Sequence, residues 1–416
     1  MIRSLFSVRA LALALALGLS VTLLPAEPSS AAVQRVGKRF AGMTDSNPES
    51  WPKARVGSIR LWDTGVTWRQ IETKPGSFDY TLLDRQVAAA RANGARPLLV
   101  LGMTPEFHAK RRNDSGLYGD GSVSAPKMWA WKRYVRKVVT RYGGKMDYQV
   151  WNEANVNGFW SGTHAQMATL TKVTSKIVNA NNRKAKVVAP AMATRLSGQR
   201  KWLRDFYSRR TGGRPVVGWV DVVSLNLYPL PRQKPEHSMT LLAAVRTQLR
   251  ALRVRKPIWN TEINYGLQTG GGGTAKNISK RKEAAYVGRT YVLNAANNVK
   301  RVFWYSWELQ TMANTQLTKD DGDTLTRAGY AYKVVVDWLQ GGRMQGCDRD
   351  RKGTYTCEVR SSSGVKRIYW NPTRRARVTL VKSAKKKSTM TGYTTRVRGG
   401  KRQVVNYSPI MVQSRR

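Results

Sequence analysis

Two glutamates stand where apolar runs end. Val150-Trp151-Asn152-Glu153-Ala154-Asn155 closes one run, and Trp259-Asn260-Thr261-Glu262 closes another. Two carboxylates that meet across one cleft can divide the work of glycoside cleavage. One protonates the leaving oxygen, while the other attacks the anomeric carbon or activates water. Asn152, beside Glu153, could hold a sugar hydroxyl with its amide. A single Asn-Glu pair is a weak signal, because surface glutamates are common. Its weight comes from a second glutamate at the end of a different strand. The three histidines, His108, His164 and His237, are far apart, and the only cysteines are Cys347 and Cys357. That leaves no zinc-type ligand set, and neither metal nor cofactor is expected.

The glutamates act together only if the fold brings their strands to one rim. Apolar, β-rich runs alternate with helical patterns, as in βα units with a parallel sheet. Eight candidate strands are Arg39–Met43, Gly57–Asp63, Pro97–Met103, Met146–Glu153, Lys186–Ala191, Val220–Tyr228, Pro257–Ile263 and Lys300–Trp307. Helical patterns cover Thr81–Asn93, Lys127–Tyr142, Thr163–Asn181, Thr240–Arg253, Ser279–Asn297 and Thr326–Leu339, with the first and fifth barrel helices less clear. This spacing predicts an α/β fold, a (β/α)8 TIM barrel, in which polar residues at the carboxyl ends of strands face the mouth. A doubly wound sheet alternates similarly, but no GxGxxG follows any strand, so a nucleotide site has no support. Glu153 and Glu262 then fall on the fourth and seventh strands. Asp63 and Glu308 also sit at strand ends and read as mouth residues. Trp131 and Trp338 lie within helices and read as core.

After Gly341-Gly342 the helical pattern stops. Thr354–Val359, Val365–Trp370, Ala376–Val381 and Val404–Val412 read as strands of a small C-terminal β-sandwich domain, and Lys385-Lys386-Lys387 reads as a solvated loop. The expected division is a signal peptide over 1–32, a barrel over 33–340 and a basic β-sandwich over 341–416. Arg3 and Arg9, the apolar run Leu11–Leu19 and the small residues Ser30-Ala31-Ala32 support the leader, with cleavage near Ala32. No later stretch reaches the length of a membrane span. Secretion, with cell-wall association as an option, is therefore expected. Export in turn favours a Cys347–Cys357 disulfide.

The formal net charge is +47. Residues 341–416 hold 20 Lys/Arg against 3 Asp/Glu, so the tail is more than twice as basic per residue as the rest. A field of that strength attracts polyanions and says nothing of fold. For an exported chain, an anionic cell-wall polymer or an acidic polysaccharide is the expected partner. Nucleic acid is not, because no recognisable nucleic-acid module is present. A monomer is expected.

The segment Tyr148–Trp160 resembles the Asn-Glu acid/base motif of glycoside hydrolase clan A. It is most similar to family 39 and to secreted bacterial enzymes called family 5-like, over roughly residues 38–340. Arg60-Leu61-Trp62-Asp63, Pro75–Tyr80, Asn226-Leu227-Tyr228 and Trp307 resemble further clan positions. The resemblance implies a retaining glycosidase with Glu153 as acid/base and Glu262 as nucleophile. It further implies sugar binding by Asn152, with Arg60 and Tyr228 supporting the nucleophile and Trp307 as a platform for the sugar ring. Trp62 and Trp160 offer flat faces to pyranose rings but could equally be packing residues. Ala154 and Asn226 depart from the clan, where proline and histidine are common. The competing function is a non-catalytic glycan- or cell-wall-binding protein on the same barrel. The sequence marks neither the sugar nor the choice between endo and exo cleavage.

Overall fold

The computed structural model describes residues 33–45, 51, 53–266, 277–308 and 315–415. The leader expected over 1–32 lies outside them. The chain enters through β1 (Gln34–Arg35), which pairs away from the barrel. The barrel strands follow: β2 (Ala41–Met43), β3 (Ser58–Leu61), β4 (Arg96–Leu101) and β5 (Asp147–Val150). The fifth barrel strand comes in two pieces, β6 (Val187–Val188) and β7 (Met192–Ala193). A surface ribbon, β8 (Arg210–Thr211) with β9 (Arg214–Pro215), precedes the last three barrel strands. These are β10 (Val223–Asn226), β11 (Ile258–Ile263) and β12 (Arg301–Trp304).

Every pairing in this sheet is parallel, in the order β6-β5-β4-β3-β2-β12-β11-β10-β7. The two halves of the fifth strand close the ring. Val188 bridges to Val222, and β7 pairs with β10. The result is a (β/α)8 barrel, as the alternating pattern requires. Nearly all strand residues are buried, which explains why these strands read as continuous apolar runs rather than as alternating ones.

The helices are α1 (Trp68–Ile71), α2 (Thr81–Ala92), α3 (Met128–Tyr142), α4 (His164–Asn181), α5 (Ser197–Tyr207), α6 (Pro235–Ala251), α7 (Lys280–Ala296) and α8 (Arg327–Leu339). No helix joins β2 to β3 among the described residues, and α5 supplies the fifth barrel helix. α6 starts five residues before the expected Thr240, because Pro235 occupies its first turn, where a missing N–H costs nothing. α4 starts at a capping box in which Thr163 Oγ1 accepts from Gln166 N and Gln166 Oε1 accepts from Thr163 N. α3 buries Trp131, Tyr134, Val135, Val138 and Val139 on one face. Each fully buried side chain of this kind contributes roughly 1.5–3 kcal/mol. Trp338 of α8 is likewise core. At the closed end of the barrel, buried Asp147 accepts from Arg96 and Arg301. No described helix is long and apolar enough to cross a membrane.

Beyond α8 the chain forms β13 (Arg343–Arg349), β14 (Tyr355–Ser361), β15 (Gly364–Trp370), β16 (Ala376–Thr379), β17 (Ala384–Thr389), β18 (Thr394–Arg396), β19 (Arg402–Val405) and β20 (Ile410–Ser414). Seven strands make one antiparallel sheet, β1-β13-β14-β15-β20-β17-β18, and the β16–β19 ribbon covers part of it. Between sheet and ribbon lies a small core of Tyr369, Leu380, Ala384, Val405 and Val412. Cys347 and Cys357 face each other on β13 and β14 and are disulfide-bonded. Two expectations need correction. Lys385-Lys386-Lys387 lies inside β17, not in a loop; its pairing to β18 and β20 satisfies the backbone, while Lys385 and Lys386 stay exposed. The run Val404–Val412 is two strands, split by Asn406–Pro409.

The other side of the sheet has no core of its own. Met344, Val359, Ile368 and Trp370 belong to the same buried cluster as Val287 and Tyr291 of α7 and Val335 and Leu339 of α8. The described residues accordingly form one compact unit.

Candidate active site

The site is built on the carboxyl ends of β3, β5, β10 and β11. Arg60, next to last in β3, is fully buried, and its guanidinium is the hub. Nη1 donates to Glu262 Oε2 at 2.8 Å, Nη2 to Asn152 Oδ1 at 2.7 Å, and Nε to Gln149 Oε1 at 2.9 Å. Glu262 keeps about a tenth of its side chain exposed. It also accepts from Tyr228 Oη at 2.7 Å and from Asn226 Nδ2 at 3.3 Å. Glu262 thus receives three donors, one of them a buried guanidinium.

Glu153 follows β5 and is half-buried. Its carboxyl is pushed up to about 7, first by burial and then by the negative charge of Glu262. The hydrogen bond from Asn226 and the positive charges of Arg195 and Arg60 pull the other way without prevailing. Glu153 therefore keeps its proton up to about 7 beside a second carboxyl that three donors hold in place, an arrangement suited to acid/base work. Asn226 Nδ2 contacts both, Glu153 Oε1 at 3.0 Å and Glu262 Oε2 at 3.3 Å. The sum, 6.3 Å, is the greatest distance those two oxygens can have. This bridge follows from strand register, since Asn226 pairs directly with Glu262 across a bulge between β10 and β11.

Beneath the carboxylates runs a polar chain. Gln149 Nε2 donates to Ser224 Oγ at 2.5 Å, Ser224 Oγ meets Thr261 Oγ1 at 2.6 Å, and Thr261 Oγ1 donates to Asn226 Oδ1 at 2.9 Å. The last bond fixes the Asn226 amide so that its nitrogen faces the glutamates. Arg60, Gln149 and Ser224 come from the second, fourth and sixth barrel strands, the alternate-strand layering of such barrels. Sequence reasoning missed Gln149, Ser224 and Thr261. A polar residue inside an otherwise apolar strand was the available signal.

The rim is conformationally strained. Asp63, Met103, Trp151 and Glu153, at or just past the ends of the second, third and fourth strands, all have positive φ, between 37° and 72°. Such backbone costs about 1–3 kcal/mol per residue and persists where the surroundings enforce it. Asp63, expected at the mouth, is pushed up to about 6 by burial and then by Glu262. It accepts from Tyr305 Oη at 2.8 Å and also from Tyr118 Oη.

The expected sites fare unevenly. Glu153, Glu262, Asn152, Arg60 and Tyr228 come together. Asn152 Oδ1 accepts from Arg60 Nη2, which leaves its Nδ2 for a sugar hydroxyl. Trp307 does not join them. It has no exposed surface, packs edge-on against Tyr332, and donates to Gly322 O at 3.0 Å. Tyr305, two residues earlier and just past the eighth strand, is the aromatic tied to the mouth through Asp63. Trp62 is buried beside Arg60, Tyr118 and Phe159, and Trp160 is buried against Trp151. Both therefore pack rather than offer open faces. Glu308 is half-buried just past the eighth strand. Arg195, which follows β7, went unnoticed in the sequence. Its guanidinium sits 5.8 Å from the Tyr228 ring, and its backbone carbonyl accepts from Arg200 at 3.0 Å.

Residues 136–332 match the family described as the glycosyl hydrolase catalytic core. No curated protein matches the chain in sequence. In fold it resembles a family 39 glycoside hydrolase from Bacteroides cellulosilyticus, at 17% identity and a TM-score of 0.67, over 91% of this chain and 81% of that one. It also resembles a family 39 β-xylosidase from Caulobacter crescentus, at 16% identity and a TM-score of 0.66, over 92% and 97%. A family 30 endoxylanase from Clostridium papyrosolvens follows at 12% identity and 0.61, over 93% and 98%. The family match supports a glycoside hydrolase, and the likeness to these solved structures is one of fold.

Proposed function

We propose that the chain is a secreted retaining glycosidase, with Glu153 as acid/base and Glu262 as nucleophile. The observation that carries this reading is the single amide, Asn226 Nδ2, bonded to both carboxylates. The bridge keeps one oxygen of each carboxyl within 6.3 Å of the other, in keeping with the roughly 5–5.5 Å carboxyl separation of retaining enzymes. A Glu262 oxygen attacks the anomeric carbon. The glycosidic bond breaks, and the departing oxygen takes the proton of Glu153. The glycosyl ester on Glu262 then meets a water that gives one proton to the Glu153 carboxylate. The water oxygen bonds to the anomeric carbon, and Glu262 leaves as a carboxylate. Arg60 and Tyr228 stabilise that carboxylate before attack and after release.

The Cys347–Cys357 disulfide supports a compartment outside the cytoplasm. The excess of positive charge supports an acidic polysaccharide or an anionic wall polymer as partner. Purified protein without residues 1–32 should be screened against neutral and acidic polysaccharides with product sizing. Xylan and xylo-oligosaccharides lead the panel, because the structural neighbours include a β-xylosidase and an endoxylanase. Hydrolysis of at least one glycan, lost in Glu262→Ala, is the expected result. Turnover that survives this substitution would overturn the assignment.

A further inference from the structure

A groove of about 580 Å³ runs between α6 and α7 of the barrel and the loops of the β layer. Five of its ten lining residues are Lys or Arg, against 72 in the 416 of the chain. The barrel side supplies Lys234, Lys282, Tyr286 and Arg289, and the β layer supplies Arg374, Arg375 and Tyr407. The nearby acid, Glu236, is already committed. It accepts from Arg289 Nε at 2.8 Å and from Trp370 Nε1 at 2.9 Å. Lys282, Arg374 and Arg375 are exposed and form no ion pair among the described residues. Asp350 feels the charge of Arg374 but makes no ion pair with it.

The walls are built rather than incidental. Lys234 Nζ donates to Pro372 O at 3.0 Å, which ties the barrel to the β layer across the groove. Fully buried Asn371 accepts from the backbone N–H of Thr373 and of Arg374, both at 3.1 Å, so the loop that carries both arginines is fixed. Tyr286 and Tyr407 are half-buried and add aromatic surface between the cations. Strands end and helices begin on the catalytic side of a β/α barrel. Lys234 immediately precedes α6, and Lys282 lies in the first turn of α7. The groove therefore opens on the side where Glu153 and Glu262 lie.

We propose that this groove binds a strand of anionic glycan, its acid groups on Lys282, Arg374 and Arg375 and its sugar rings against the tyrosines. The inference rests on the reading of an acidic polymer as partner, not on the hydrolytic one. Two sources of negative charge fit, carboxylate and phosphate esters. The test compares full-length protein with Lys282→Gln/Arg374→Gln/Arg375→Gln and with a charge-matched control, Lys132→Gln/Arg136→Gln/Lys137→Gln, on exposed positions of α3. Binding to immobilised polygalacturonate, phosphomannan and single-stranded DNA is measured at about 0.15 M salt, where exposed charges beyond roughly 8 Å are screened. The groove variant should lose at least about tenfold in affinity for one glycan while the control loses far less, since site-specific cation contacts outweigh the diffuse field. The glycan that loses more identifies the acid group. Equal losses in the two variants would sink the groove and leave the partner reading standing. No glycan binding by the full-length protein would sink both. Tighter binding of DNA than of either glycan would also overturn the proposal.

Discussion

Asn226 couples two groups that chemistry requires to differ. By bonding both carboxylates it holds them close, and closeness lets the charge of Glu262 raise Glu153. Replacing Glu262 with Ala should cost at least about a thousandfold in kcat, and replacing Glu153 about 10²–10⁴-fold, the usual worth of a placed proton donor. Azide should partly restore the Glu262 variant by serving as the missing nucleophile; no restoration would speak against a covalent role. Activity should fall as pH rises through about 7, because Glu153 then loses the proton that the proposed mechanism has it donate. The same displacement bears on stability. The folded state keeps a proton on Glu153 up to about 7, whereas the unfolded chain releases it near 4.5. Its contribution to stability is therefore complete below 4.5 and is lost as pH climbs to about 7, at about 1.4 kcal/mol for each pH unit between those limits. Glu153→Gln lacks that loss. Thermal melts should show its advantage over the parent growing between those limits and level above them; a constant difference would contradict a raised Glu153. Both glutamates were legible in the sequence because a carboxylate after an apolar strand is conspicuous. The role of Asn226 was not, since it depends on the register of β10 against β11. Trp307 misled for a related reason: position at a strand end does not say which way the side chain turns.

At the scale of elements, the strands and helices were the most legible part of the chain. Apolar runs gave all eight barrel strands, and the ends of α2, α3, α4, α7 and α8 fall within a residue of expectation. The broken fifth strand was not visible, because β6 and β7 are only two residues each and owe their pairing to neighbours. The charged clamp at the closed end of the barrel was equally hidden. Burial alone would raise Asp147, but Arg301 and Arg96 together hold it below the usual carboxylate range. Asp147→Asn leaves two buried or half-buried guanidinium groups without their counter-charge. It should cost roughly 3–5 kcal/mol, as breaking a buried ion pair does. Chemical denaturation measures that loss, and kcat per folded molecule should stay near the parent value, since the clamp lies at the end of the barrel remote from Glu153. A stability change below about 1 kcal/mol, typical of an exposed pair, would show the clamp to be dispensable.

For the whole molecule, the change of character after Gly341-Gly342 was plain in the sequence, but the sharing of a core was not. The β layer buries Met344, Val359, Ile368 and Trp370 against α7 and α8, and β1 from the start of the described chain pairs with β13. We therefore expect one cooperative unfolding transition rather than two. Removal of residues 341–416 should strip α7 and α8 of their cover and leave an aggregating or partly unfolded barrel. Calorimetry of the full-length protein with two resolved transitions, or a soluble and active truncated barrel, would contradict this. Net charge was equally plain, yet composition could not place it. Only the fold gathers Lys282, Arg374 and Arg375, nearly a hundred positions apart in sequence, around one groove.

In the proposed mechanism, two carboxylates bridged by one amide carry out a double displacement. The most direct test is proton NMR of the anomeric signals during hydrolysis of the best substrate from the polysaccharide panel, recorded before mutarotation mixes the anomers. The first sugar released should carry the anomeric configuration of the bond that was cut. Release of the opposite anomer would mean that water attacks directly, and Glu262 could not be the nucleophile.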